Sequence, residues 1–298
     1  MAENHQHKVL KGRNLFWSIV LNLVITIAQI IGGIISGSIA LLSDALHNFS
    51  DVLSLCISYF ANRLAQKSST IKHTYGYKRA EILAAFINSA SLIGIAVFLG
   101  AEAIQRLSHP QPVNSLIVIW LAVASIVVNG GSVLLIHSGG KNNINIKSAY
   151  LHLFTDMLTS VAVLIGGLVM KYTDVYWIDG IVTLIIALYL IYSSWHLFME
   201  SITIIMLFSP KDIDIAKLAA KIESIEGIKN LHHLHLWRLT DKQVNMEAHI
   251  DLEFDHNISA FEEHLLKIQK IATENGISHV TIQPEFNVKD NKDLIHRH

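Results

Sequence analysis

Six long apolar stretches constrain this chain more than any other feature of its sequence. Each reaches about 20 residues or more, the length that an α-helix needs to cross a bilayer. They lie at residues 15–36, 39–63, 80–106, 114–137, 146–170 and 178–207. The four prolines lie outside them, so no proline breaks a predicted helix. Because the polar loops are too short to cover six such helices in a soluble core, the sequence predicts six transmembrane helices.

The composition agrees with a membrane protein and excludes several other classes. Only 16% of the side chains are charged, against about 25% in soluble domains. The net charge of −1 leaves no basic excess for binding nucleic acid. The single cysteine, Cys56, excludes an intramolecular disulfide and a cysteine-rich metal cage. The 17 histidines are an unusually large number and draw attention to metal binding.

The density of charge divides the chain into three segments. Residues 1–14 form a polar N-terminal tail, residues 15–208 hold the six apolar stretches, and residues 209–298 have the composition of a soluble domain. In this C-terminal domain, helix, strand, strand, helix and strand patterns follow at residues 213–225, 231–239, 244–254, 260–275 and 279–285. That order predicts a small ferredoxin-like α+β domain.

Lysine and arginine are distributed unevenly between the two sets of loops. One side holds Lys8, Lys11, Arg13, Arg63, Lys67, Lys72, Lys78, Arg79, Lys141 and Lys147, and the other holds Arg106 and Lys171. Because these residues concentrate in cytoplasmic loops, we predict that both termini and the C-terminal domain face the cytoplasm. The short link at about residues 138–146 has no long His-rich loop, which favours a bacterial inner membrane.

Two of the apolar stretches carry the same pair of ionisable residues. His47 and Asp51 lie in the second stretch, and His152 and Asp156 lie in the fifth. A spacing of four places both side chains on one face of a helix, and ionisable residues inside membrane helices mark functional sites. Two imidazoles and two carboxylates match the tetrahedral coordination of Zn²⁺. We therefore predict a metal site shared by these helices, with Asp44 as a supporting or entrance residue.

The segments around the two pairs form an internal repeat. Residues 46–54 read LHNFSDVLS, and residues 151–159 read LHLFTDMLT. The predicted orientation makes the two helices antiparallel, and at about 1.5 Å per residue both motifs lie roughly 10–18 Å from opposite faces. A repeated motif on antiparallel helices is typical of inverted-topology transporters, whose site lies near the middle of the membrane.

With these motifs, the sequence resembles the cation diffusion facilitator family over nearly its whole length. Members of that family are homodimeric exporters that exchange zinc or related divalent ions for protons. The resemblance implies that His47, Asp51, His152 and Asp156 form the transport site. A histidine in the second helix is typical of zinc carriers, some of which also pass cadmium or cobalt.

The resemblance also implies a metal site in the C-terminal domain. The family binds metal there at positions that correspond to His232, His249 and Glu285. Gln283 stands where some members have a histidine, and His279 is near enough in the sequence to substitute for it.

The loop between the second and third stretches also resembles a family segment. It reads KHTYGYKRAE at residues 72–81, and some bacterial members bind a second metal ion there. Only His73 matches the ligands of those members, because Tyr77 stands in place of the second histidine. The resemblance therefore makes His73 a weak candidate ligand.

These features together predict a zinc/proton antiporter that exports Zn²⁺ and also binds it in the C-terminal domain. The predicted partners are divalent ions, protons, membrane lipid and a second copy of the chain, with no nucleic acid. One alternative is the same fold carrying mainly another divalent ion, such as Cd²⁺ or Co²⁺, whereas Mn²⁺ prefers oxygen ligands. Another is a membrane metal sensor without transport. An enzyme is not predicted, because the chain has no HExxH motif of a metallohydrolase.

Overall fold

The computed structural model describes the backbone of residues 4–137, 144–255 and 257–295, and the side chains of residues 20–133, 154–255 and 257–295. The chain forms two compact units. One holds the residues up to Tyr59 together with Ile87–Phe198, and the other holds Phe60–Phe86 together with the residues from Met199 onward. The small sheet belongs to the second unit.

The N-terminal two thirds of the described chain is helical. The helices are α1 (Asn4–Ser36), α2 (Ile39–Ala65), α3 (Ala80–Ser108), α4 (Ser115–His137), α5 (Ile144–Thr173) and α6 (Trp177–Ile205). Each predicted apolar stretch lies inside one of these helices or agrees with it to within two residues. The main difference is at the start of α1, which begins at Asn4 rather than at residue 15.

Within the described residues, four of these helices are long and apolar enough to cross a membrane. The spans are Ala80–Ser108, Ser115–Val133, Phe154–Thr173 and Trp177–Ile205. In α1 the described apolar segment, Val20–Ser36, is shorter. The remaining helix, α2, carries Asp44, Asp51 and Arg63 along its length.

Asp179 holds the beginning of α2, although it belongs to α6. Its buried carboxylate accepts hydrogen bonds from Ile39 N at 2.8 Å, from Ala40 N at 3.4 Å and from Ser38 Oγ at 2.5 Å. The first N–H groups of a helix have no carbonyl partner within that helix, and a negative charge there also complements the helix dipole. Asp179 is therefore a helix cap supplied by a neighbouring helix, and it ties α2 to α6.

Small residues allow the membrane helices to approach closely. A Cβ atom at Gly33 of α1 would lie 3.2 Å from the backbone of Leu42 in α2, and one at Gly167 of α5 would lie 3.1 Å from the Val118 side chain of α4. Between helices in lipid, close packing of this kind supplies much of the association energy. Gly37 joins α1 to α2 with a φ of +73°, which other residues rarely adopt.

The second unit contains a small α+β domain. Its elements are α7 (Ile215–Glu223), β1 (Ile228–Arg238), β2 (Val244–Leu252), α8 (Ile258–Glu274) and β3 (His279–Glu285). This confirms the predicted order of helices and strands. β2 is the central strand, antiparallel to β1 and parallel to β3. A ferredoxin-like fold has four strands, whereas the described residues of this domain form three.

The helices of this domain are capped, and the sheet packs on them through a single apolar core. Asp214 accepts a hydrogen bond from Lys217 N, and Asn257 accepts one from Ala260 N. The largest fully buried side chains of the core are Leu218, Ile222, Leu231, Leu234, Met246, Ile250 and Ile268. The strand register that this core fixes places His232 opposite His249, and His249 beside Gln283.

Candidate metal centres

The first candidate site lies between α2 and α5, where His47 stands between two carboxylates. Its Nε2 atom lies 3.3 Å from Asp156 Oδ1, and its Nδ1 atom lies 3.6 Å from Asp51 Oδ2. His47 and Asp156 are buried, and Asp51 is partly exposed. One ligand atom from each lies within 4.8 Å of the others. Ligand atoms of a tetrahedral zinc site are about 3.3 Å apart, given bonds of about 2.0 Å, so small shifts bring these three to a shared ion.

The fourth predicted ligand, His152, belongs to α5. It precedes Asp156 by four residues, which places both residues on the same face of that helix. The side chain of His152 lies outside the described residues. The described part of the site therefore consists of one imidazole and two carboxylates, contributed by α2 and α5.

An imidazole between two carboxylates can exchange protons for a divalent ion. When both nitrogens carry a proton, His47 can donate to Asp51 on one side and to Asp156 on the other. When it is neutral, it offers one lone pair to a metal ion. Because metal ligands must be deprotonated, protons and a divalent ion compete for the same atoms. The geometry therefore suits a site that binds protons and a divalent ion in turn.

Asp44 is buried one turn before His47, and its carboxylate is surrounded by hydrogen-bond donors. Oδ1 accepts from Thr159 Oγ1 at 2.7 Å, and Oδ2 accepts from Ser160 Oγ at 2.9 Å and from Gln29 Nε2 at 2.7 Å. The donors belong to α1 and α5, so the carboxylate fixes α2 against both helices beside the site. The sequence shows these polar residues in its apolar stretches, but not which of them bond to Asp44.

Replacing Asp44 by alanine is expected to weaken metal binding at this site without removing a ligand. In Asp44→Ala, Thr159 and Ser160 of α5 lose their hydrogen bonds to α2, so the two helices are held together less firmly. Loss of a residue that hydrogen-bonds a metal ligand typically costs about 10- to 100-fold in metal affinity. Asp44 bonds to Thr159 and Ser160 rather than to a ligand, so we expect a loss of about tenfold, at the lower end of that range. Zinc titration calorimetry on the purified full chain measures it.

Ser132→Ala is the control for that variant, because among the described side chains the Ser132 hydroxyl donates to Val128 O within its own helix, α4. Its zinc affinity is expected to equal that of the wild type. If Asp44→Ala also keeps the wild-type affinity, Asp44 does not position the ligands.

The second candidate site lies at one end of the sheet in the C-terminal domain. His232 Nε2 lies 3.2 Å from Glu285 Oε2, and His249 Nδ1 lies 2.8 Å from Glu285 Oε1. Asp290, just beyond β3, approaches His232 Nε2 to 3.4 Å. The four residues each offer a ligand atom within 4.8 Å of the others. This donor set of two imidazoles and two carboxylates again fits Zn²⁺.

Asp290 and its neighbour Lys292 were not among the ligands or neighbours predicted from the sequence. Lys292 Nζ lies 2.9 Å from Glu285 Oε2 and also contacts Asp290. Burial raises the pKa of Glu285, but the hydrogen bond and charge of Lys292 outweigh it and hold that pKa below its usual value. The hydrogen bond from Lys292 lowers the pKa of Asp290 in the same way. Both carboxylates are therefore ionised at neutral pH, which is the form that binds a cation.

Two other predicted ligands lie elsewhere. His279 is exposed at the first residue of β3, opposite Asn245. Six residues of strand, or about 20 Å, separate it from Glu285, so it cannot substitute at position 283. His73 is also exposed, with its Nδ1 atom 3.2 Å from Thr70 Oγ1. Among the residues that the structure describes, neither histidine belongs to a group of three potential metal ligands.

Comparison with known proteins identifies the family. A family model described as the cation efflux transmembrane domain matches residues 15–206. A second model, described as the cytoplasmic domain of cation efflux proteins, matches residues 210–287. The chain belongs to the cation diffusion facilitator family. This confirms the resemblance that the repeated HxxxD motif indicated.

Curated relatives are similar to this cation diffusion facilitator over most of their length. The cadmium, cobalt and zinc/H⁺–K⁺ antiporter of Bacillus subtilis is 36% identical over 99% of this chain and 95% of its own. The metal cation efflux system protein CzcD of Cupriavidus metallidurans is 33% identical over 96% and 90%. The zinc transporter ZitB of Escherichia coli is 32% identical over 96% and 93%.

The family assignment agrees with the apolar helices. A cation efflux transmembrane domain with four spans of sufficient length and apolarity is that of an integral membrane protein. Its family name describes transport of cations rather than an enzyme reaction. His47, Asp51 and Asp156 lie within the matched transmembrane region, whereas Asp290 and Lys292 lie beyond the matched cytoplasmic region.

Proposed function

We propose that this cation diffusion facilitator exports Zn²⁺ from the cytoplasm in exchange for protons, through a site formed by His47, Asp51, His152 and Asp156. The observation that carries the proposal is the group of His47, Asp51 and Asp156, in which one imidazole lies between two carboxylates inside the helical unit. The printed names of the relatives, which include cadmium, cobalt and zinc antiport, efflux and zinc transport, support it.

Export of a divalent ion requires an energy source. Moving two charges outward against an inside-negative potential costs about 4.6 kcal/mol per 100 mV, at roughly 2.3 per charge. A passive pathway would therefore fill the cell with metal. Proton entry supplies the energy in this proposal, because each proton that replaces the ion moves down its own gradient.

The geometry of His47 explains how one site can carry both species. A histidine offers a single nitrogen to a metal ion, whereas the protonated ring reaches both carboxylates. When Zn²⁺ enters, the proton leaves, and the carboxylate beside the other nitrogen shifts toward the ion. When protons enter from outside, the imidazolium again bridges Asp51 and Asp156, and the ion is released.

The transport cycle alternates the access of this site between the two sides of the membrane. The proposal includes six spans, with both termini in the cytoplasm and the repeated motifs on antiparallel helices. In that topology α2 and α5 each carry one half of the site, and a rocking motion of the helices exposes it alternately. The bacterial inner membrane is the proposed location.

The proposed selectivity is for Zn²⁺, with Cd²⁺ and Co²⁺ as the ions most able to replace it. Imidazole and carboxylate ligands suit all three, whereas Mn²⁺ prefers a fuller set of oxygen ligands. The test is flux of radioactive zinc into inverted vesicles in the presence of each competing ion. Competition by Cd²⁺ and Co²⁺ but not Mn²⁺ supports the proposal, and transport of Mn²⁺ in preference to Zn²⁺ would overturn the assignment of zinc.

The C-terminal domain is proposed to adopt a ferredoxin-like fold, to join two copies of the chain, and to bind zinc that regulates transport. His232, His249, Glu285 and Asp290 would hold this ion, since their ligand atoms lie together and both carboxylates are ionised. A bound ion would cross-link the three strands of the sheet, through His232 of β1, His249 of β2 and Glu285 of β3. His279 and His73 are not part of this proposed site.

The regulatory role predicts a specific loss in a double variant. With His232→Ala and His249→Ala, transport is expected to lose the activation by cytoplasmic zinc that adds to simple saturation of the transport site, while the intramembrane site remains intact and still saturates with zinc. Flux measured over a range of cytoplasmic zinc concentrations tests this. The control is His279→Ala, an exposed histidine of the same domain, which should behave as the wild type. An unchanged zinc dependence in the double variant would rule out regulation by this site.

A further inference from the structure

The segment that follows β3 folds back along β1. Between His232 and His235 the pairing of β1 with β2 is irregular, and His233 has a φ of +50°. In this irregular stretch, His233 N donates to Asp293 O at 3.2 Å, and Leu234 N donates to Leu294 O at 2.9 Å. Leu294 also packs against the core of the domain. Residues 286–295, called here the C-terminal segment, are thereby docked beside the second candidate site. The four potential ligands of that site, His232, His249, Glu285 and Asp290, are called here the cytoplasmic cluster.

This docking places the ammonium group of Lys292 inside the cluster. Lys292 Nζ lies 2.9 Å from Glu285 Oε2, 2.9 Å from Asp251 Oδ1 and 3.4 Å from His232 Nε2, and it also contacts Asp290. The side chain is only partly exposed. An ammonium with three carboxylate neighbours is a strong, charge-assisted arrangement.

The atoms that hold Lys292 are the atoms that a metal ion needs. Glu285, Asp290 and His232 belong to the group of potential ligands, and each of them is also a neighbour of Lys292 Nζ. Zinc bonds of about 2.0 Å leave no room for an ammonium group between the same ligands. Two cations at that separation would also repel each other strongly.

We propose that Lys292 is a tethered cation that fills the cytoplasmic metal site, so that a divalent ion can bind only by displacing it. The inference rests on the proposed metal site of the C-terminal domain. It assigns a role to a residue beyond the region that the family model matches, which ends at residue 287. Displacement of the ammonium would remove the charged anchor of the residues that follow Asp290, so metal binding would also loosen that end of the C-terminal segment, whereas Asp290 would be held by the ion.

A competing tethered cation lowers the apparent metal affinity. If the ammonium occupies the site nine-tenths of the time, the apparent dissociation constant is about tenfold weaker than that of the open site. Lys292→Met, which keeps an unbranched side chain but removes the charge, is therefore expected to bind zinc about tenfold more tightly. Lys292→Arg keeps the charge and should remain close to the wild type.

The experiment is zinc titration calorimetry on the purified full chain, with Asp51→Ala and Asp156→Ala in every sample to remove binding at the intramembrane site. Adding Glu285→Gln identifies the binding event that belongs to the cytoplasmic cluster. Lys289→Met is the matched control, because Lys289 is an exposed lysine of the same segment. The proposal expects tighter binding in Lys292→Met and no change in Lys289→Met.

Two results would overturn different parts of the account. Equal affinity in Lys292→Met and the wild type would overturn the tethered cation and leave the metal site in place. The absence of any binding event that depends on Glu285, in every variant, would overturn the metal site itself.

Limited digestion with trypsin tests the displacement of Lys292 independently, because trypsin cleaves after lysine side chains that reach solvent. Zinc is expected to speed cleavage after Lys292 severalfold relative to cleavage after Lys289, when fragments of the full chain are measured by mass spectrometry. The ratio within one sample removes any effect of zinc on the protease. A ratio that zinc leaves unchanged would contradict displacement of Lys292.

Discussion

Replacement of Asp156 by asparagine is expected to abolish zinc transport, with a loss of more than about 100-fold in rate. The carboxamide has nearly the same shape as the carboxylate but carries no charge, so the buried site loses an anionic ligand and the partner of His47 Nε2 at 3.3 Å. The measurement is zinc uptake into inverted vesicles that contain equal amounts of each variant.

Asp174→Asn is the control for this variant, because Asp174 is an exposed aspartate immediately after α5. Its transport rate should match that of the wild type. If Asp156→Asn retains a substantial part of the wild-type rate, the ion does not pass between α2 and α5 at this carboxylate.

Asp179→Ala is expected to have the largest effect on stability. Two backbone N–H groups at the start of α2 and the hydroxyl of Ser38 lose a buried acceptor. A buried polar group left without a partner costs about 1–3 kcal/mol, and a lost helix cap costs up to about 2 kcal/mol. We therefore expect a loss of about 2–4 kcal/mol, measured as a lower thermal midpoint of the purified protein in one detergent.

Asp214→Ala gives the contrast, because Asp214 caps α7 from an exposed position. Water can replace that cap, so its loss should lower the thermal midpoint far less than the loss of Asp179 does. Equal thermal midpoints for the Asp179 and Asp214 variants would contradict the role of Asp179 as the cap that joins α6 to α2.

The parts of the account that follow from local spacing were predictable from the sequence. His47 and Asp51 share a helix face because of their separation by four residues, and Asp156 joins them because the same motif recurs in α5. The order of helices and strands in the C-terminal domain also followed from local periodicity. These patterns depend on neighbouring residues in the chain, which the sequence displays directly.

The remaining contacts depend on how distant segments pack. Asp44 receives hydrogen bonds from residues 15 and more than 100 positions away, and no local pattern identifies such partners. His279 was a candidate because it lies near Gln283 in the sequence, but an extended strand separates such neighbours by many ångströms. Asp290 and Lys292 reach the cluster only because the C-terminal segment turns back along β1.

Zinc flux into reconstituted vesicles with an imposed pH gradient tests the central claim most directly. We expect zinc to accumulate against its own gradient when protons can leave the vesicle in exchange, and this accumulation to stop when the pH gradient is collapsed. Vesicles with Asp51→Ala should show no such uptake. Zinc binding by the wild type without any flux driven by the proton gradient would contradict the antiporter and favour a membrane metal sensor.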